Sequence, residues 1–193
     1  MLLLIFGLVL FFAVHSLSIV NEPYRDNLVS KLSAGSFKTI YSLISLLGLI
    51  LIAWGYGLAR YDPILIWTPP LWLRHLSLLL MLPVFILLTA TYFPGKIKRI
   101  VKHPMLIAVK LWALSHLLAN GMLADLFLFG SFLTWAVLDR ISLKNRPVRT
   151  SPSLPEGRYN DLIAIAAGLL IYVVFAMWLH LWLIGVSPVA VGS

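Results

Sequence analysis

Apolar residues in this chain come in uninterrupted blocks, and that fixes its solvent before anything else. Segments such as MLLLIFGLVLFFAVHSL, YSLISLLGLILIAWG and LIAIAAGLLIYVVFAMWLHLWLIG belong to runs of about 17 to 24 residues. At 1.5 Å per residue, such runs cross a hydrocarbon core of about 30 Å as helices. Backbone polar groups in hydrocarbon must be satisfied inside a helix or a closed barrel. Barrel strands are shorter and alternate apolar with polar residues, which these runs do not. The composition agrees: 61% of residues are hydrophobic, only 11% are charged, and the mean hydropathy is +0.95. The predicted fold class is all-α, a polytopic membrane helical bundle with six transmembrane helices. The spans are placed at 2–20, 38–59, 72–93, 104–119, 122–138 and 162–184, within a single membrane domain over residues 1–193. The first segment has no basic n-region and no A-x-A cleavage site, so it reads as a retained span and not a signal peptide.

The formal net charge of +8 is explained by where the cations fall. The first connection carries Arg25, Lys31 and Lys38, and the third carries Lys96, Lys98, Arg99 and Lys102. The fifth carries Arg140, Lys144, Arg146, Arg149 and Arg158. Only Arg60 and Arg74 occupy an even connection, and Lys110 lies inside a span. Lys and Arg accumulate on the cytoplasmic side, which places the odd loops there and both termini in the periplasm. The charge is therefore topology and not a footprint for nucleic acid. The chain has no cysteine, which excludes disulfides, thiolate ligation and cysteine nucleophiles.

Local signals fill in the connections. Leu28 and Leu32, four apart among basic residues, predict a short interfacial amphipathic helix. Ser36 is the expected cap of the second span, and Pro83 is expected to kink the third. Asn120-Gly121 marks a turn between the fourth and fifth spans. The loop residues Pro69 and Pro70, with Trp67 and Trp72, suit a surface connection.

All five histidines lie inside or at the mouths of these apolar segments. Ionisable groups are costly in hydrocarbon, so those present usually face the bundle interior and bind or transfer something. Neutral imidazole is also the usual ligand offered to haem iron or a transition metal. Trp112, His116 and Asn120 recur at every fourth residue and form one stripe on the fourth span. Depth separates His15 and His103 on the cytoplasmic side from His75, His116 and His180 toward the outside. A pairing of His15 with His116 crosses the middle. His75, His103 and His180 also suit an interface, where imidazole meets water at little cost. An interhelical hydrogen bond is the other reading for the deeper His15 and His116. Lys110 either snorkels to the cytoplasmic loop or holds an anionic group such as a haem propionate. There is no H-E-x-x-H, G-x-S-x-G, phosphate-binding loop or dinucleotide fingerprint, and no carboxylate pair inside a span.

These segments resemble the NnrU family of integral membrane proteins over nearly the whole chain. The resemblance rests on FFAVHS, YSLISLLGL, PPLWLRH, PGKIKRIVKHPMLIAVKLWALSHLLANG, LFLFGSFLTWAVLDRISLK and WLHLWLIGVSP. The HPMLIAVKLWALSHLLANG stretch is the specific one. The resemblance implies a bacterial inner-membrane protein linked to denitrification or nitric-oxide metabolism. The family is similar to the plant and cyanobacterial zeta-carotene isomerase, which holds haem b. By that resemblance His15 and His116 are the leading haem-iron ligands, with His75, His103, His180 and Lys110 as further cofactor-binding candidates. The partners it implies are the lipid bilayer, respiratory or denitrification membrane proteins, and an apolar polyene or small gaseous ligand. The alternative is a non-enzymatic assembly or transport component of a respiratory system.

Overall fold

The computed structural model describes residues 1–146 and 153–189. Among these the chain is helical and contains no sheet; Leu65 and Met122 form an isolated antiparallel bridge. The helices are α1 (Leu2–His15), α2 (Leu17–Val20), α3 (Glu22–Leu32), α4 (Ala34–Ala59) and α5 (Leu71–Tyr92). They continue with α6 (Lys96–Val101), α7 (Pro104–Ala119), α8 (Leu123–Ser142) and α9 (Asn160–Val174). A π-helical turn over Phe175–Leu179 then leads directly into α10 (His180–Ile184).

Three stretches are long and apolar enough to cross a membrane: Ala34–Ala59, Leu71–Tyr92 and Asn160–Ile184. α1 and α7 are apolar but shorter, about 21 and 24 Å by helical rise. α8 has 20 residues but carries Asp125, Asp139 and Arg140. The fold is therefore all-α and multi-pass, and the six expected spans meet the length and composition of a crossing in three cases. The first expected span also stops early. α1 ends at His15, and Asn21 opens a new helix by accepting the Tyr24 N–H on its side chain, with Pro23 in the first turn. That new helix, α3, is the one expected around Leu28 and Leu32. The cap of α4 is Ser33 and not Ser36. Ser33 leaves the helix with φ 71° and accepts the Ser36 N–H on Oγ, whereas Ser36 is already the third helical residue. α5 runs through Pro83 as one helix. Arg149, counted among the basic residues of the fifth connection, lies outside the described residues.

The chain divides into two compact units. The first is built from the residues up to Thr68 and from Gly121 through α8. Here α1 and α4 approach at glycines, where the absent side chain lets backbone meet backbone. A Cβ on Gly55 would stand 2.3 Å from the Leu4 nitrogen, and one on Gly7 would stand 2.7 Å from the Ile52 nitrogen. Gly48 meets Phe11 in the same way, and lies seven residues before Gly55 on the same face.

The second unit runs from Pro69 to Asn120 and resumes with the segment that holds α9, the π turn and α10. α5 is its centre, packed against α7 and α9. Val84, Leu87 and Ala108 form its buried core, with Leu111 and Trp112 against it. Hydroxyls tie the helices across the unit: Ser77 Oγ donates to the Ser115 carbonyl at 2.5 Å and Thr89 Oγ1 to the Ala164 carbonyl at 2.8 Å. Tyr172 Oη donates to the Leu78 carbonyl at 3.0 Å. Gly168 lies against the Ile86 backbone, where a Cβ would come within 2.6 Å of Cα.

The glycine contacts predict a graded response. Gly55→Val should destabilise the protein by about 1–3 kcal/mol through forced separation of α1 and α4. Gly57→Ala, which meets nothing within 4 Å, should be neutral or stabilising by up to about 1 kcal/mol. Thermal unfolding of the detergent-purified variants measures both, and equal melting of the two would contradict glycine-mediated packing.

Candidate functional site

Two histidines of the second unit, His116 on α7 and His180 on α10, have their rings close together. His116 Nδ1 lies 2.8 Å from the Trp112 carbonyl oxygen, one turn earlier on α7. A carbonyl only accepts, so Nδ1 carries the proton and the ring's lone pair sits on Nε2. The adjacent Ser115 is fully buried, and its carbonyl takes the Ser77 hydrogen bond from α5, which pins this turn of α7. Trp112 covers the imidazole, with ring centroids 5.4 Å apart at 52°. Asn120 ends α7 by donating its side-chain amide to the His116 carbonyl, the cap role expected for it.

His180 reaches the same place by a less regular route. It follows the π turn Phe175–Leu179, in which the hydrogen bonds span one extra residue. Each residue of an α-helix turns the chain by about 100°, so this extra residue decides the face on which His180 emerges. Gly185 then adopts φ 77° and ψ 12°, the left-handed conformation that suits glycine. The chain reverses there and brings the Val186 carbonyl to 2.6 Å from His180 Nδ1. Again Nδ1 must donate, and again the lone pair is on Nε2. The His116 and His180 rings stand 6.4 Å apart at an interplanar angle of 27°. Phe175 meets His180 edge-on at 5.8 Å and Phe85 at 5.5 Å, giving the pair an aromatic wall.

In the first unit, His15 Nδ1 donates to the Phe11 carbonyl at 2.8 Å, so this ring has the same tautomer. It stacks on Phe11 at 3.9 Å and 18°, with Tyr41 at 5.0 Å and Trp135 edge-on at 5.9 Å. His75 is exposed in the first turn of α5. His103 is half-buried at the start of α7, before Pro104, as its spacing predicted. Lys110 is half-buried in the middle of α7. The structure thus sets His116 beside His180, with His75 on α5, His103 at the start of α7 and Lys110 in its first half. Among the described residues no group of three or more His, Cys, Asp or Glu converges as a metal site. A pair of imidazoles is the donor set on offer.

Two features were not visible in the sequence. The π turn has no glycine or proline to announce it. A buried pair, Tyr56 Oη donating to Asp125 Oδ1 at 2.6 Å, joins residues far apart in the chain. Asp125 is fully buried, and its other oxygen accepts the Met122 N–H at 2.8 Å.

A family model described as NnrU protein matches residues 3–188. No curated protein and no solved structure matches the chain.

The π turn gives a direct structural prediction, helped by the absence of native cysteine. A His116→Cys/His180→Cys variant should crosslink with a short bis-thiol reagent of about 8 Å span, seen as one intramolecular adduct by mass spectrometry. Deleting Met177 should regularise the helix, turn residue 180 by about 100° and abolish the adduct. Equal crosslinking with and without Met177 would show that the π turn does not set this face.

Proposed function

The chain belongs to the NnrU family, and from that premise we propose that it is a haem-binding protein of the bacterial inner membrane. Its chemistry on this reading is redox, nitric-oxide-linked or of the cis–trans isomerase type, within a denitrifying or respiratory system. The relation to zeta-carotene isomerase belongs to the same proposal. The observation that carries it is the state of the imidazoles. Metal-ligating histidines almost always donate their second ring N–H to a carbonyl or carboxylate. His15, His116 and His180 each donate Nδ1–H to a backbone carbonyl, which leaves Nε2 as the coordinating nitrogen.

The residues fit a porphyrin better than a bare ion. Haem would be held by imidazole nitrogens, which matches a pair of histidines and not a cluster. His116 and His180 would supply such a pair, with ring centroids 6.4 Å apart at 27°. We therefore take His116 as the principal ligand and His180 as the partner favoured by geometry. His15 remains the second ligand favoured by the family resemblance. When bound, haem supplies an iron centre that changes redox state and opens a position to a small ligand or a double bond. The chain's own part is to fix the tautomers and hold the imidazoles by carbonyls. Trp112 and Phe175 lie against the rings, Phe85 packs on Phe175, and Lys110 would be the cation for a propionate.

The topology proposed with this function has six crossings, with the odd connections cytoplasmic and both termini periplasmic. The twelve cations of the odd connections support it. Shortness of α1 and α7 is compatible with crossings completed by the residues that flank them.

Absorption spectra of the purified protein, oxidised and dithionite-reduced, with pyridine quantification, test the reading. Near one haem b per chain is expected. His116→Ala should remove or shift the Soret band, and His180→Ala should change the ligation state while His15→Ala leaves it intact. A Soret change in His15→Ala but not in His180→Ala would return the second ligand to His15. Folded protein that stays haem-free after reconstitution, and co-purifies with a reductase, would overturn the proposal in favour of a non-enzymatic component.

A further inference from the structure

An open cleft of about 310 Å³ lies at the end of the second unit where α5 stops and α9 begins. Both belong to stretches long enough to cross the membrane, so the cleft sits at a membrane boundary. Its walls are fixed by hydrogen bonds between segments distant in sequence. The Asp161 carboxylate accepts the Lys96 and Ile97 backbone N–H groups at 2.8 and 2.9 Å. The buried Asn160 side chain donates to the Pro94 and Pro155 carbonyls, and the Leu154 N–H donates to the Tyr92 carbonyl. Gly95 admits this closure, since a Cβ there would stand 2.4 Å from an Asp161 oxygen.

Three cations line the cleft: Lys96, Arg99 and Arg158. Two carboxylates line it as well: Asp161, whose oxygens accept from the start of α6 and whose charge acts on Arg99 and Lys96, and Glu156. Among the described residues, no ion pair holds Lys96, Arg99 or Arg158. Arg158 instead lies over the Tyr159 ring at 5.7 Å. Three cations against two carboxylates leave the wall with an excess of positive charge, which suits an oxyanion, and guanidinium forks match phosphate oxygens in pairs. Close in sequence to the lining residues are large exposed apolar ones: Ile100 at 70%, Leu162 at 64%, Tyr159 at 61% and Leu154 at 52%. Leu162 belongs to a stretch long and apolar enough to cross the membrane, so a ligand with acyl chains meets lipid-facing surface there where a free phosphate does not.

We propose that this cleft binds the phosphodiester headgroup of an anionic phospholipid, with its acyl chains against Leu162 and the outer face of α9. Basic pockets at the ends of membrane helices hold such headgroups by the same division of labour. The site is distinct from the histidines and does not depend on the haem reading. Its effect is to anchor the short α6 and the segment before α9 to the lipid surface.

Native mass spectrometry of the full detergent-purified chain, titrated with phosphatidylglycerol or phosphatidylcholine, tests it. The wild type should retain one phosphatidylglycerol with about tenfold preference. Arg99→Gln/Arg158→Gln should lower retention to the phosphatidylcholine level, and Arg158→Gln alone, outside any helix, should lower it about threefold. The control Arg140→Gln/Lys144→Gln, in the other unit, should bind as wild type. Circular dichroism and elution volume report whether each variant is folded. Equal retention of the two lipids by wild type, or an undiminished preference in both cleft variants, would overturn the proposal. Complete displacement by millimolar inorganic phosphate would also overturn it, by identifying a site for free anion.

Discussion

In hydrocarbon the usual cohesive force of folding is absent, because lipid tails solvate a leucine as well as another leucine does. What remains is close approach, together with hydrogen bonds that must be made inside the protein. The interior of this chain is accordingly small and its exterior large. Ala90, Ala108, Ala113, Ala136 and Ala164 are fully buried, while Leu79 and Leu170 are each 65% exposed. Glycines let α1 meet α4 and let α9 meet α5 at backbone distance. The hydroxyls of Ser77, Thr89 and Tyr172 then reach carbonyls on neighbouring helices. Bonds of this kind contribute only about 0.6–2 kcal/mol each, so packing at small residues has to carry much of the cohesion.

The same constraint disciplines most of the polar groups that the units enclose, Arg146 Nε and Trp135 Nε1 being buried without a partner. Asp125 has a donor on each oxygen, and Asp139 is paired with Arg146. His15, His116 and His180 each spend one ring nitrogen on a carbonyl of their own helix or of the turn after it. A histidine held in this way is fixed in orientation, with Nε2 turned away from the carbonyl. Its requirements as a tolerated buried group and as a ligand therefore coincide. Trp135 Nε1 departs from this pattern: it is buried without an acceptor, next to His15. Such a donor costs about 1–3 kcal/mol if nothing meets it.

Much of this was legible in the sequence because hydrocarbon leaves few choices. Long apolar runs could only be helices, and α7 begins and ends where Pro104 and Asn120 said it would. Leu28 and Leu32 announced α3. What could not be read was anything decided by tertiary contact. Ser33 outcompetes Ser36 as a cap because of a backbone angle, which composition does not record. α1 stops at Ser16, which also caps the short α2, and Asn21 and Pro23 then start α3. Depth alone grouped His116 with both His75 and His180, yet only His180 has its ring beside His116 among the described contacts. The cations of the third and fifth connections were read as topology. Their second property, convergence on one cleft, required Asp161 and Asn160 to draw the two connections together.

The π turn is the most telling departure from local rules. The run LLIYVVFAMWLHLWLI contains neither glycine nor proline, and nothing in it forbids a continuous α-helix. A π turn widens the helix and gives poorer hydrogen-bond geometry, so it persists only when the surroundings favour the shifted phase. Here the shifted phase places His180 against His116 and Phe175, and Gly185 closes the chain so that Val186 fixes its ring. A role in packing alone would be served as well by any apolar residue at position 180 on a regular helix. An ionisable ring, aimed by an irregular turn and held by a reversed chain, is more than packing demands. The proposed ligand role of the histidine pair would account for that excess.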